Sequence, residues 1–276
     1  MEALRLVDDW PVPTVAVAAV LPDGSVHQRG PAHHRFRIAS IAKMLVGWTA
    51  LVACEEGTVS LDQPAGQQGC TLRHLLAHAG GYAFDGPEPI SRPGVRRIYS
   101  NTGIELAADA LAESAGIPFA TYQREAVLDP LGMNATELRG SPAHGVHSTL
   151  HDLLAFVDEL RHPRLLSLAS AQQFSSVQFA GLPGIVPGVG RYDDCVWGLG
   201  TELRGNKSPH WTGTQNSPGT FGHFGGAGTL LWVDPGVHVA CLALTDRRFD
   251  EWSAAALQHW PALADAVLTE CVEGLG

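Results

Sequence analysis

Two blocks of β-type sequence at opposite ends of the chain restrict its fold more than any other feature. Val15 to Val20, closed by Pro22-Asp23-Gly24 and followed by SVHQRG, reads as a β-hairpin. Near the other end, GTLLWVDPGVHVACLALTD (228–246) is a pair of apolar, β-rich runs joined by Asp234-Pro235-Gly236. From 58 to about 190 the apolar residues fall instead at helical spacing, over 71–78, 103–115, 118–128, 149–161 and 167–175, with no strand pattern among them. The last segment, EWSAAALQHWPALADAVLTECVEG (251–274), predicts a helix broken near Pro261. Strands at both ends with helices between predict one domain over 1–276. It would have an α/β lobe of residues about 1–57 and 191–276, and an inserted all-helical lobe of about 58–190. A crevice between two such lobes is a common place for a ligand.

Charge removes several classes of function. The formal net charge is −10, with no run of like charge, which is unsuited to nucleic acid or an anionic membrane surface. No segment approaches the roughly 20 apolar residues that span a bilayer. The apolar stretch 11–24 imitates a signal peptide, but the residues before it are net acidic and PDG closes it as a turn, so a cytoplasmic protein is expected. Five cysteines at irregular spacing, without a C-x-x-C pair, fit neither a disulfide framework nor a zinc knuckle and suit a reducing compartment.

The segment RFRIASIAKMLVGWTALVACEEG (35–57) reads as a helix that is apolar nearly all round, hence buried, and that ends at Gly57. Ser40, Lys43 and Gly47 share one face of it. The chain has two lysines against sixteen arginines, and one of the two is here. A desolvated lysine can lose its proton and act as a base, which arginine cannot. A serine one turn before such an amine is a nucleophile beside its activator. Taken alone, S-x-x-K equally fits an N-cap serine and a lysine snorkelling to the surface.

Two further stretches carry polar groups suited to the same chemistry. In RIYSNTGIEL, Thr102-x-x-Glu105 is a capping box that starts a helix at Thr102, leaving Tyr99 and Asn101 on the loop before it. A tyrosine there can relay a proton, and an asparagine amide can hold a carbonyl. In FGHFGGAGTLLWV, Gly222, Gly225, Gly226 and Gly228 permit close backbone approach at the start of a strand, where an N–H can face an oxyanion. His223 adds a polar or cationic group beside them.

In this order and spacing the three stretches resemble the serine β-lactamase and penicillin-binding protein superfamily, in particular its class C-like branch, which includes DD-peptidases and carboxylesterases. S-x-x-K matches Ser40 to Lys43, Tyr-x-Asn matches Tyr99 to Asn101, and the third motif, Lys-Thr-Gly or His-x-Gly, matches His223 to Gly225. TLRHLLAHAGGY, LDPLGMNAT, GVHSTLHDLLAF and GTLLWVDPG are similar to supporting segments of that family. The resemblance implies the β-lactamase/DD-peptidase fold, an antiparallel sheet flanked by helices (α/β, or α+β) with the site between the lobes. It implies Ser40 as acylated nucleophile, Lys43 as base and Tyr99 as proton relay. Asn101, His223 and Gly225 would bind substrate, and the N–H groups of Ser40 and Gly226 would form the oxyanion hole.

The partner implied is a small-molecule ester, amide or lactam, with no metal or other cofactor. His223 and Phe224 stand where many relatives have a lysine and a small hydroxyl residue that bind a carboxylate, which favours an uncharged ester or amide over a penicillin. A β-lactam or D-amino peptide is the next expectation, followed by acyl transfer and by a silent ligand-binding relative. Pocket residues are expected from the 82–97 and 203–220 loops. Three other signals are read as incidental or structural. His144, His147 and His151 have metal-like spacing but lack a neighbouring glutamate. Asn134-Ala135-Thr136 matches a glycosylation site, and His78 reads as a buried structural histidine.

Overall fold

A computed structural model describes residues 1–273 of the chain. A 3-10 helix at Ala3–Asp9 leads into β1 (Val15–Val20) and β2 (Val26–Arg29), the expected hairpin. A short β3 (Phe36–Arg37) and a 3-10 turn at Ala39–Ile41 precede α1 (Ala42–Glu55). Next come α2 (Leu72–Leu76), α3 (Asn101–Ala115) and α4 (Phe119–Gln123), which runs on as a π turn over Arg124–Leu128. Then follow β4 (Glu137–Leu138), β5 (Val146–Ser148), α5 (Leu150–Arg161) and α6 (Leu168–Phe174). The chain closes with β6 (Gly184–Val186), β7 (Gly190–Tyr192), β8 (Glu202–Leu203), β9 (Phe221–Gly225), β10 (Thr229–Asp234), β11 (Val239–Thr245) and α7 (Ser253–Glu273).

The two ends of the chain do share one sheet, antiparallel throughout, in the order β2-β1-β11-β10-β9-β8. Its central strands β1, β11 and β10 are mostly apolar and buried at nearly every position because both faces are covered. Along β11, Ala240, Leu242 and Leu244 face a layer containing α1 and α5, while Val239, Cys241 and Ala243 face α7 and the first 3-10 helix. Among the described residues no helix is long and apolar enough to cross a membrane.

Four expectations need correction. The middle of the chain is not all helical: β3, β5 and β4 form a three-stranded sheet, and β6 pairs with β7. These strands have two or three residues each, too few to register as alternation. The segment expected as one helix over 35–57 starts with β3, whose Phe36 pairs with Ser148, and becomes α-helical only at Ala42. Its end is as expected, with Gly57 left-handed at φ +76°.

The capping serine of α3 is Ser100 rather than Thr102. Ser100 Oγ accepts from the Gly103 N–H at 2.9 Å, and Glu105 accepts from Ser141 instead of closing a box. Asn101 is therefore the first residue of the helix. Finally, α7 runs unbroken through Pro261, because Trp260, Leu263 and Ala264 on either side of it are all seated in the core against the sheet. The expected helix reached one residue further, to Gly274, which lies outside the described residues.

Candidate active site

The turn at 38–41 puts Ser40 at the edge of the core instead of within it. Ala39 has a left-handed φ of +46°, uncommon for a residue with a Cβ, and the chain reverses there from β3 into α1. The tip of the β9–β10 hairpin holds this turn in place. Thr229 Oγ1 donates to the Ile38 carbonyl at 3.0 Å. A Cβ at Gly225 would fall 2.5 Å from the same carbonyl oxygen and closer still to Thr229 Oγ1, so only glycine lets the hairpin approach this closely. Gly226, the next residue, faces open space, and both it and Ser40 line the pocket.

Lys43 is completely buried on the first turn of α1. Its ammonium has three acceptors: Asn101 Oδ1 at 2.7 Å, the Ala143 carbonyl at 2.9 Å and Ser40 Oγ at 3.2 Å. Among the described residues no carboxylate touches it. Burial therefore dominates and brings its pKa from 10.5 down to about 7, with the more distant Glu105 and Asp85 opposing the shift. Lys43 Nζ also sits 4.8 Å from the centre of the Tyr99 ring. Burial pushes the Tyr99 phenol well above its usual range, and a hydrogen bond with the Ser40 hydroxyl partly offsets this.

The loop bearing Tyr99 is fixed from two sides. Arg97, buried and without a carboxylate partner among the described residues, donates to the carbonyls of Cys195, Ala77, Gln178 and Phe179. His78, 1% exposed, accepts at Nδ1 from the Ser100 N–H at 3.2 Å and packs against both Tyr99 and Trp197. This is the structural role expected of it. Asn101 is already engaged at both ends, with its oxygen on Lys43 and its Nδ2 donating to Asp85 at 3.0 Å.

His223 lies in the middle of β9, opposite Leu231 of β10. It is buried, its Nδ1 is 2.6 Å from the Phe224 carbonyl, and burial followed by the charge of Lys43 brings its pKa down to about 3. The cation allowed for in the sequence reading is thus a neutral imidazole at ordinary pH. The pocket has a volume of about 390 Å³, and its walls are mainly apolar, with Phe84, Val186, Trp197, Phe224 and Phe249 prominent. Of the two loops expected to line it, 82–97 supplies Phe84 and 203–220 supplies none. Segments 186–188 and 249–253 take the second loop's place.

The structure brings Ser40, Lys43, Tyr99, Asn101, His223, Gly225 and Gly226 to one place. Sequence reasoning missed Asp85, which lies in a loop without periodicity, and the Ala143 carbonyl, which no side chain announces. It also missed Glu202, on the pocket wall, whose carboxylate accepts from Lys207 at 2.7 Å, from Trp211 at 2.7 Å and lies 3.2 Å from His210. Burial raises the Glu202 pKa, and the charges of Lys207 and His210 outweigh that and hold it low. The scarcity of lysine was the available signal, since Lys207 is the second of the two and is also buried. His147 falls on β5 and His151 on α5, and Thr136 is buried against Ser148 and Asp152.

The chain as a whole is similar to several known proteins. A family model described as Beta-lactamase matches residues 7–266. A crystal structure of a beta-lactamase from Mycobacterium bovis is 46% identical, superposes with a TM-score of 0.94, and covers 98% of this chain and 99% of that one. A beta-lactamase of Pseudomonas fluorescens is 24% identical over 81% of this chain and 82% of its own. A D-alanyl-D-alanine carboxypeptidase/endopeptidase of Escherichia coli K12 is 26% identical over 38% of this chain, and the match spans only 37% of that protein.

Proposed function

Given that this chain belongs to the Beta-lactamase family, we propose that it is a serine hydrolase that acylates Ser40 and prefers an uncharged ester. The observation that carries the reading is Lys43: fully buried, 3.2 Å from Ser40 Oγ, and with a pKa of about 7. At that value a large fraction of the amine is unprotonated at neutral pH and can accept the Ser40 proton.

The reaction then has two halves. Ser40 Oγ attacks the carbonyl carbon as its proton passes to Lys43, and the N–H groups of Ser40 and Gly226 receive the oxyanion. Collapse breaks the bond to the leaving group, which takes a proton through Tyr99. That phenol stays protonated across the working range, so it serves as a donor and relay. Water, deprotonated along the same route, then releases the acid and restores Ser40. Asn101, with its oxygen on Lys43, holds the amine in line, and Gly225 sets the distance between the hairpin and the nucleophile.

The preference for an ester rests on the pocket. Its walls are apolar, and the neutral His223 offers no charge to balance a carboxylate. The family's name and its lactam- and peptide-cleaving relatives support a second reading, a β-lactam or D-amino peptide substrate. We also read the chain as one domain acting on a small molecule, and place it in a reducing, cytoplasmic setting, for which its five free cysteines are the support. Intact-mass analysis after brief exposure to a p-nitrophenyl ester, a chromogenic cephalosporin and a D-alanyl peptide tests the proposal. An adduct on the wild type, absent from Ser40→Ala, is expected with the ester first. No adduct and no turnover with any of the three would refute it.

A further inference from the structure

The pocket wall formed by β9 holds one polar atom with no role in the reaction above. His223 Nδ1 lies 2.6 Å from the Phe224 carbonyl oxygen, and a carbonyl can only accept, so the ring proton is on Nδ1. In the neutral ring Nε2 is then a lone pair. That atom is buried and has no hydrogen-bond partner among the described residues, although His223 itself lines the pocket. A buried acceptor without a donor is unfavourable, a deficit that a donor on a ligand removes.

The surroundings keep the ring in this state. Tyr99 and Trp197 pack on it with ring centres 5.7 Å and 5.5 Å away, and the nearby charge of Lys43 opposes a second proton. Glu202, close by on the same wall, is a carboxylate with its charge already matched by Lys207. Neither lysine is free to meet an anion, since Lys43 has three acceptors and Lys207 is held by Glu202 and two carbonyls. The charged groups of this wall are therefore already matched, and the buried side-chain groups left unpartnered on the pocket among the described residues are the His223 Nε2 lone pair and the Trp197 Nε1–H.

We propose that the site selects substrates that present a hydrogen-bond donor, a hydroxyl or an N–H, to His223 Nε2 beside the scissile bond, and discriminates against those that present a carboxylate there. The inference rests on the serine-hydrolase reading and narrows its substrate class. A hydroxyl in this position meets the lone pair directly, whereas a carboxylate sets its own lone pairs against it and loses its hydration without return.

Two matched series test it on the wild-type protein, one for each side of the scissile bond. The first is the 2-hydroxyethyl, propyl and carboxymethyl esters of phenylacetic acid. The second is the p-nitrophenyl esters of 3-hydroxymethyl-, 3-ethyl- and 3-carboxybenzoic acid. In at least one series kcat/KM is expected to be about 10-fold higher for the hydroxyl compound than for its alkyl match, and about 10-fold lower for the carboxylate. His223→Lys, which replaces the acceptor by a cation, should move the carboxylate ester to the top of that series, and His223→Gln, which keeps an acceptor, should preserve the wild-type order. If the wild type treats hydroxyl and alkyl esters alike in both series, or favours a carboxylate, the inference fails while acylation at Ser40 stands. If no ester of either series is turned over and Ser40 forms no adduct, the hydrolase reading fails and takes the inference with it.

Discussion

A single amine, Lys43, carries most of the chemical argument, and its burial has consequences for stability as well as for rate. Lysine becomes a base near neutrality only if burial is not cancelled by a contacting carboxylate, and the acceptors around Nζ are a hydroxyl, an amide and a backbone carbonyl. Arginine at this position would remain charged, so Lys43→Arg should lose roughly 10⁴-fold in kcat/KM, comparable to Ser40→Ala, because nucleophile and base act as a unit. Full activity in Lys43→Arg, measured on a p-nitrophenyl ester, would contradict proton abstraction by this residue.

The linkage has a definite sign. The folded pKa of Lys43 lies below the unfolded one, so between about 7 and 10.5 the unfolded chain binds the extra proton and stability rises with pH. Below that window the burial penalty is fully present. Urea unfolding at pH 7.5 and 9.5 should show the wild type gaining relative to Lys43→Met by up to about 1.4 kcal/mol per pH unit, and parallel behaviour of the two proteins would show that the amine is not depressed.

At the level of elements, precision depends on short pieces. The two-residue β3, the 3-10 turn behind it and the tip of β9 together locate Ser40, and the tightest contact is at Gly225. Gly225→Ala should force the hairpin away from Ile38 and lower kcat/KM by about 100-fold, the effect of misplacing reacting groups by around an ångström. Wild-type rates in that variant would show that the approach is dispensable.

These same pieces were the least legible in the sequence. The long elements, α1, α3, α5 and the β10–β11 hairpin, could be read from periodicity and turn residues. The start of α1 could not, because Arg35 to Ser40 is compatible with helix until Ser148 on β5 supplies a partner for Phe36. The first turn of α3 was misplaced by one residue for a similar reason: Ser100 and Thr102 are both adequate caps, and Ser141, distant in sequence, decides where Glu105 goes.

On the scale of the whole molecule, the sheet built from both chain ends was legible from the first, since apolar, β-rich runs closed by turn residues stand at both ends of the chain. The motif residues were legible as well, because each stretch pairs a functional group with a glycine or a helix start. What holds those residues was not, since Arg97 acts on carbonyls far away in the sequence, and Asp85 and Glu202 lie in stretches that no periodicity marks. The two lysines show this contrast: Lys43 announced itself beside a serine, whereas Lys207 gains its meaning only from Glu202, His210 and Trp211. Removing one partner of a buried pair leaves the other uncompensated, so Lys207→Met should destabilise the fold by about 3–5 kcal/mol in urea unfolding. Glu202→Gln in the same chain should recover much of that loss, and an unaltered midpoint in the single variant would show the pair to be idle.

The most direct test of the central claim, that a buried Lys43 with a pKa near 7 activates Ser40, is the pH dependence of the acylation step. Adduct formation with a p-nitrophenyl ester would be followed in single turnovers by quenched-flow mass analysis between pH 5 and 9. The rate should rise tenfold per pH unit at the acid end, bend near pH 7 and then stay level, with the adduct on Ser40 throughout. A rate without a bend between pH 6 and 8, or an adduct that persists in Ser40→Ala, would contradict it.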